Sequence, residues 1–174
     1  MDSSEESAQS HNPAHVYAVE DWLVHAFYGI GQIVNVEVKD ISGVSVHYFR
    51  IQTADTTFWV PVDQMDSDKM RPIASREEIE VAITVFQRPP REMSADHKVR
   101  KSRMRRVQLQ NEPEEMARLI RDMRARQQTK GKYNLDENEL IRTLKERLIE
   151  EWALVMESNQ EQVAAKLDNL LDYR

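Results

Sequence analysis

Residues 33–62 read IVNVEVKDISGVSVHYFRIQTADTTFWVPV, and the period of two in this stretch decides the fold of the N-terminal half. Val34, Val36 and Val38 alternate with Asn35, Glu37 and Lys39, the pattern of a half-buried strand. Lys39-Asp40-Ile41-Ser42-Gly43 follows as a hairpin connection with glycine near its end, and Val44, Val46 and Tyr48 resume the alternation. Phe49 and Ile51 fall on the opposite parity, which predicts a bulge or bend. After a turn at Ala54-Asp55, Phe58, Val60 and Val62 alternate with Trp59 and Pro61. Upstream, Gly29 and Gly31 bracket the entry to the first long strand. Helical connections are missing between these runs, so the sheet is antiparallel: three or four short strands making a small bent sheet or open barrel.

From Ser75 the period changes. Ser75-Arg76-Glu77-Glu78 fits a capping box, and Ile79, Ala82, Ile83 and Phe86 form one helical stripe that Pro89-Pro90 stops. Ser94 is placed to cap a second helix carrying Val99 to Arg106, broken by Asn111-Glu112-Pro113. Met116, Leu119, Ile120 and Met123 mark a third, ended by Thr129-Lys130-Gly131. Asn134-Leu135-Asp136-Glu137 starts a fourth with Leu140, Ile141, Leu144, Leu148, Ile149, Trp152, Val155 and Met156 in its stripe. Ser158-Asn159-Gln160-Glu161 starts a fifth containing Val163, Leu167, Leu170 and Leu171. The expected class is therefore α+β, a small N-terminal antiparallel barrel-like domain followed by an all-α bundle. The expected organisation is a disordered acidic tail over 1–16, a β domain over 17–85 and a helical domain over 86–174, with the junction at 86–95.

Composition narrows the chemistry. The 174-residue chain has no cysteine, which removes disulfides, thiolate zinc sites and cysteine nucleophiles. It has only 4 glycines, too few for glycine-rich phosphate loops. The N-terminus MDSSEESAQSHNPAH has neither the basic nor the apolar region of a secretory signal, and no apolar run is long enough to span a membrane. A cytoplasmic location is compatible with all of this. His11, His15, His25, His47 and His97 show no zinc spacing, and no GxSxG, P-loop or HExxH pattern occurs. No metal, cofactor, small-molecule ligand or catalytic activity is expected.

The charge is unevenly distributed. Residues 86–132 carry fourteen basic and six acidic side chains inside a chain of net charge −6. At its centre Arg100–Arg106 reads RKSRMRR, and Arg121, Arg124, Arg126, Lys130 and Lys132 follow. Such crowding is relieved by phosphates, or by the acidic last two helices if this is simply a solvated face. Trp59 faces away from Phe58 and Val60 on a strand ending at Pro61; it marks either a partner contact or a sheet curved enough to cover both faces.

Phe27-Tyr28-Gly29-Ile30-Gly31-Gln32-Ile33 opens the β region, and Ile41-Ser42-Gly43, Tyr48-Phe49, Val60-Pro61-Val62 and Met70-Arg71-Pro72-Ile73 follow in order. In the second half come Ile120-Arg121-Asp122-Met123, Lys132-Tyr133-Asn134-Leu135-Asp136 and Leu148-Ile149-Glu150-Glu151-Trp152-Ala153-Leu154. Together these resemble, over about residues 17–172, the CarD/CdnL family of bacterial RNA polymerase-binding transcription regulators. The resemblance implies a Tudor-like N-terminal domain that docks on the polymerase β subunit, partly by strand addition, with Lys39 and Trp59 at the matching contact positions. It implies a helical domain on promoter DNA at the upstream edge of the bubble, contacting backbone and minor groove. Lys98, Arg100, Lys101 and Arg121 match phosphate contacts, and Arg103, Arg105, Arg106 and Arg124 join them on charge. His97 stands where well-studied branches place a tryptophan wedge. The competing reading is a polymerase-bound adaptor with no DNA contact.

Overall fold

The structure, a computed structural model, describes residues 15–130 and 134–172. Most of the expected tail, and the Lys132-Tyr133 part of the fourth helix start, lie outside the described residues. The chain is α+β. Strands β1 (Trp22–His25), β2 (Gly29–Ile41), β3 (Val44–Thr53), β4 (Thr57–Pro61) and β5 (Met70–Pro72) form one antiparallel sheet in the order β4-β3-β2-β1-β5. Helices α1 (Arg76–Val85), α2 (His97–Gln110), α3 (Pro113–Lys130), α4 (Leu135–Val155) and α5 (Gln160–Asp172) follow. The sheet is open, with five strands where the sequence pattern predicts three or four; β1 and β5 are too short to show a period.

The long β2–β3 hairpin turns at Ser42 and Gly43, both with positive φ (53° and 81°), between the paired residues Ile41 and Val44. Two such residues in succession match the twist of the strands they join, and glycine makes the second at no steric cost. The one irregularity between these strands lies on β2, between Ile33 and Asn35, and not at Tyr48-Phe49. On β3 the alternation is regular: Phe49 and Ile51 are buried, and the apolar residues before them lie on the other face. Apolar residues on both faces mimic a change of parity. The expected burial of Val36 and Val38 also fails, at 38% and 57% exposure, because the hairpin outruns its neighbours. β1 pairs β2 only from Gly29 to Gln32, and β4 pairs β3 only from Tyr48 to Gln52.

Two hydrophobic cores result. Leu23, Ile33, Phe49, Ile51 and Met65 form the sheet's core, with Tyr17, Phe58, Val60 and Met70 against it. The helical core runs from Ala74 through Ile79, Ala82 and Val85 of α1 to Val163 and Leu167 of α5. The change of core thus falls at Pro72–Ala74, ahead of the expected junction at 86–95, because the stripe of α1 packs among the helices.

The caps explain the helix boundaries. Ser75 and Glu78 make a reciprocal capping box on α1. Asp96, in place of the expected Ser94, caps α2 by accepting from Lys98 N at 2.8 Å, while Ser94 Oγ accepts from Asp96 N and shapes the approach. Asn111, left-handed with φ 52°, ends α2, and Pro113 opens α3 where its missing N–H costs nothing. Asn134 and Asn159 cap α4 and α5 by accepting from Asp136 N and Glu161 N.

The two cores are fastened by two arginines. Arg71 of β5 reaches both carboxylate oxygens of Glu151 on α4 (2.6 and 2.7 Å) and donates to Asn111 O from Nε at 3.0 Å. Ala74 N donates to the same carboxylate at 2.9 Å, so Glu151, 1% exposed, is satisfied on every side. Arg147 of α4 donates to Ala26 O (2.5 Å) and Phe27 O (2.9 Å) in the β1–β2 loop.

Candidate functional site

Two surfaces carry the residues singled out above. The first is the outer face of the β2–β3–β4 sheet. Register places Trp59 opposite Arg50, and Tyr48 opposite Glu37, on one side of three strands. Lys39 Nζ lies 4.5 Å from the Trp59 ring centroid and 5.3 Å from that of Tyr48. The Trp59 indole donates to Glu37 Oε2 at 2.8 Å, and Arg50 Nη1 sits 3.6 Å from Glu37 Oε1. The cation over two π-faces, worth roughly 0.5–1 kcal/mol at an exposed site, holds the indole in place while leaving Trp59 43% exposed. Lys39 and Trp59 are thus brought together, and Glu37 and Tyr48 are partners that alternation alone did not reveal.

Beside this face the outer edge of β3 is uncovered. β4 ends at Pro61, opposite Tyr48, so Val44–His47 have no strand on that side. Proline has no N–H to extend the ladder, which is the local reason the pairing stops. Val38, Ile41 and Val44, each at least half exposed, add apolar surface at the same end of the hairpin.

The second surface is helical, and it divides the expected cationic set. Lys98, Lys101, Arg105 and Arg106 are exposed on α2 and have no side-chain partner among the described residues. Arg100 is different: 7% exposed, it donates to Glu137 Oε1 (3.0 Å) and to the carbonyls of Ser94 and Ala95 (2.9 and 2.8 Å). Arg121, 6% exposed, is held by Asp122 and donates to Val85 O at 3.1 Å. Arg103 reaches Asp122 Oδ2 at 2.8 Å. These three guanidinium groups, expected to face phosphate, are directed in this structure at internal acceptors, among them the buried carboxylates of Glu137 and Asp122. Arg124 pairs Asp172 at 2.8 Å on the surface, and His97 Nδ1 lies 3.1 Å from Glu137 Oε1 with its ring about half exposed. Spacing carried the signal: Arg100, Met104 and Val107 are one stripe of α2, and all three are buried.

One polar cluster lies at the seam of the two cores. His25, 8% exposed, accepts from Phe27 N (3.1 Å) and Tyr28 N (3.2 Å) at Nδ1 and stacks on Tyr28 at 4.6 Å. Burial, with Lys69 and Arg147 nearby, holds its pKa below the usual imidazole value, which matches a ring that must accept and not donate at Nδ1. Across the seam, burial and then Glu146 and Asp55 push the Glu150 carboxyl upward. Among the described residues no three His, Cys, Asp or Glu side chains are grouped to hold a metal, and no helix is long and apolar enough to cross a membrane.

Residues 17–74 match the family model of the CarD-like/TRCF RID domain, covering the sheet and stopping where the helical core begins. Domains of this family are non-enzymatic and interact with the β subunit of RNA polymerase. A comparison with curated proteins gives no significant match.

Proposed function

We propose that this chain, with its CarD-like/TRCF RID domain at residues 17–74, is a regulator of transcription initiation that holds RNA polymerase and promoter DNA at once. The sheet docks on the polymerase β subunit through the Lys39–Trp59 face and the free edge of β3, where a partner strand adds to the ladder. The observation that carries this reading is the stacked Lys39–Trp59 pair beside an unpaired edge, inside the matched domain. A partner of this kind puts the chain in the bacterial cytoplasm, at the nucleoid.

The helical unit, into which α1 is drawn by its packing, then lies against upstream promoter DNA. Lys98, Lys101, Arg105 and Arg106 contact phosphates without reading sequence. His97, at the first turn of α2, faces the fork. Binding that favours the melted promoter over the closed one shifts the equilibrium toward initiation. The test is charge reversal at Lys98 and Lys101. The double variant keeps polymerase binding, loses about tenfold or more in promoter-complex affinity, and shows a shallower salt dependence. Equal promoter binding by variant and parent contradicts the DNA contact.

The second reading, a polymerase-bound adaptor without DNA contact, is favoured by one observation: Arg100, Arg103 and Arg121 are tied to internal carboxylates. The same double variant separates the two, since an adaptor is indifferent to it.

A further inference from the structure

A groove of about 600 Å³ runs between α2 and the free edge of β5, within the size range of small-molecule sites. Val24, Met70 and Leu109 give it an apolar floor. Lys69 from the sheet unit faces Arg105 and Arg106 from α2 across it, and none of the three has a salt-bridge or hydrogen-bond partner for its side chain among the described residues. Ser102 offers a hydroxyl. Asn111, also in the lining, is 2% exposed and its amide oxygen and nitrogen both lack a partner. A buried amide left unpaired is costly, and a ligand drawing it outward is one way to satisfy it. Asp68 and Glu112 also line it and oppose a ligand of high negative charge, so the site suits one phosphate joined to a less polar body.

We propose that this groove holds a single nucleoside phosphate unit, the phosphate on Lys69, Arg105 and Arg106 and the sugar and base against Val24, Met70 and Leu109. The unit comes either from a free nucleotide or from an unpaired residue of a DNA strand; only the second source rests on α2 being the DNA-facing surface. In either case the sheet unit contributes a phosphate-binding cation, Lys69, of its own.

The test uses the full chain, with fluorescence anisotropy of a labelled twelve-residue oligo(dT) and calorimetry of AMP. Lys69 is exposed and on a different unit from Lys98 and Lys101, so Lys69→Glu leaves folding and the outer face of α2 intact. The proposal expects binding of AMP or oligo(dT) that Lys69→Glu weakens by about fivefold or more, and that Asn111→Gly, which keeps the left-handed backbone, also weakens. Direct binding of AMP to the full chain, read by calorimetry and lost in Lys69→Glu, assigns the groove to a free nucleotide; oligo(dT) binding without AMP binding assigns it to a strand. Binding of neither AMP nor oligo(dT), or binding unchanged in Lys69→Glu, overturns the groove. In that event loss of duplex promoter binding in the Lys98 and Lys101 double variant still upholds the proposed function, so the two fail separately.

Discussion

Glu151 shows at the scale of one residue how the halves of this chain depend on each other. Its carboxylate takes two bonds from Arg71 and one from Ala74 N while 1% exposed. Arg71→Ala leaves that charge buried and unpaired, and the expected loss is about 3–5 kcal/mol, measurable by urea denaturation. Gly31 is a second such point. A Cβ there would lie 2.8 Å from Ile51 Cγ2, so Gly31→Ala separates β2 from the sheet core and lowers Tm. His25 gives a pH dependence whose sign is fixed. The unfolded imidazole takes its proton near pH 6.5, and the folded one resists it below that value. The neutral ring's stabilisation is therefore complete above pH 6.5 and is lost as pH falls toward the depressed folded value. Glu150 acts in the opposite sense. Its raised pKa stabilises the fold only at low pH, and the contribution is lost as pH rises through the folded value. Thermal scans are expected to show Tm falling below pH 6.5, less steeply in His25→Asn, and Glu150→Gln raising Tm at pH 7.

At the scale of elements, α2 is the instructive case. Its charge was legible in the sequence, but not its division into working halves. RKSRMRR reads as a uniform basic helix because composition carries no partner information; the partners, Glu137 and Asp122, come from α4 and α3. Only the stripe Arg100–Met104–Val107 betrayed that one arginine turns inward. The consequence is testable by circular dichroism. Arg100→Glu sets a carboxylate against Glu137 and unfolds the helical core, whereas Lys98→Glu and Lys101→Glu leave Tm within about 1 °C. On the sheet, the hairpin and its turn were readable because Ser42-Gly43 and the period of two are local signals. The exposure of Val36 and Val38 was not, since it depends on how far β1 and β4 extend beside them.

At the scale of the whole molecule, Arg71 and Arg147 fix the Lys39–Trp59 face relative to α2. Under the proposed function the protein is a bracket, with the free cations of α2 held at a set distance from whatever the sheet binds. Arg147→Ala removes the tie to Ala26 and Phe27, and under the proposed function it keeps polymerase binding while weakening the proposed effect on promoter opening. The family relation of residues 17–74 was legible in the order of short motifs, because those motifs sit at turns and strand starts that the fold requires. The tie between the units was not, because Arg71 and Glu151 are 80 residues apart in sequence. The most direct measurement is co-migration of the full chain with purified bacterial RNA polymerase on a sizing column, without DNA, beside the Lys39→Glu/Trp59→Ala variant. The account predicts stable co-elution of the parent chain and its loss in the variant. No co-elution of the parent chain at low salt and micromolar concentration, or co-elution of both alike, contradicts it.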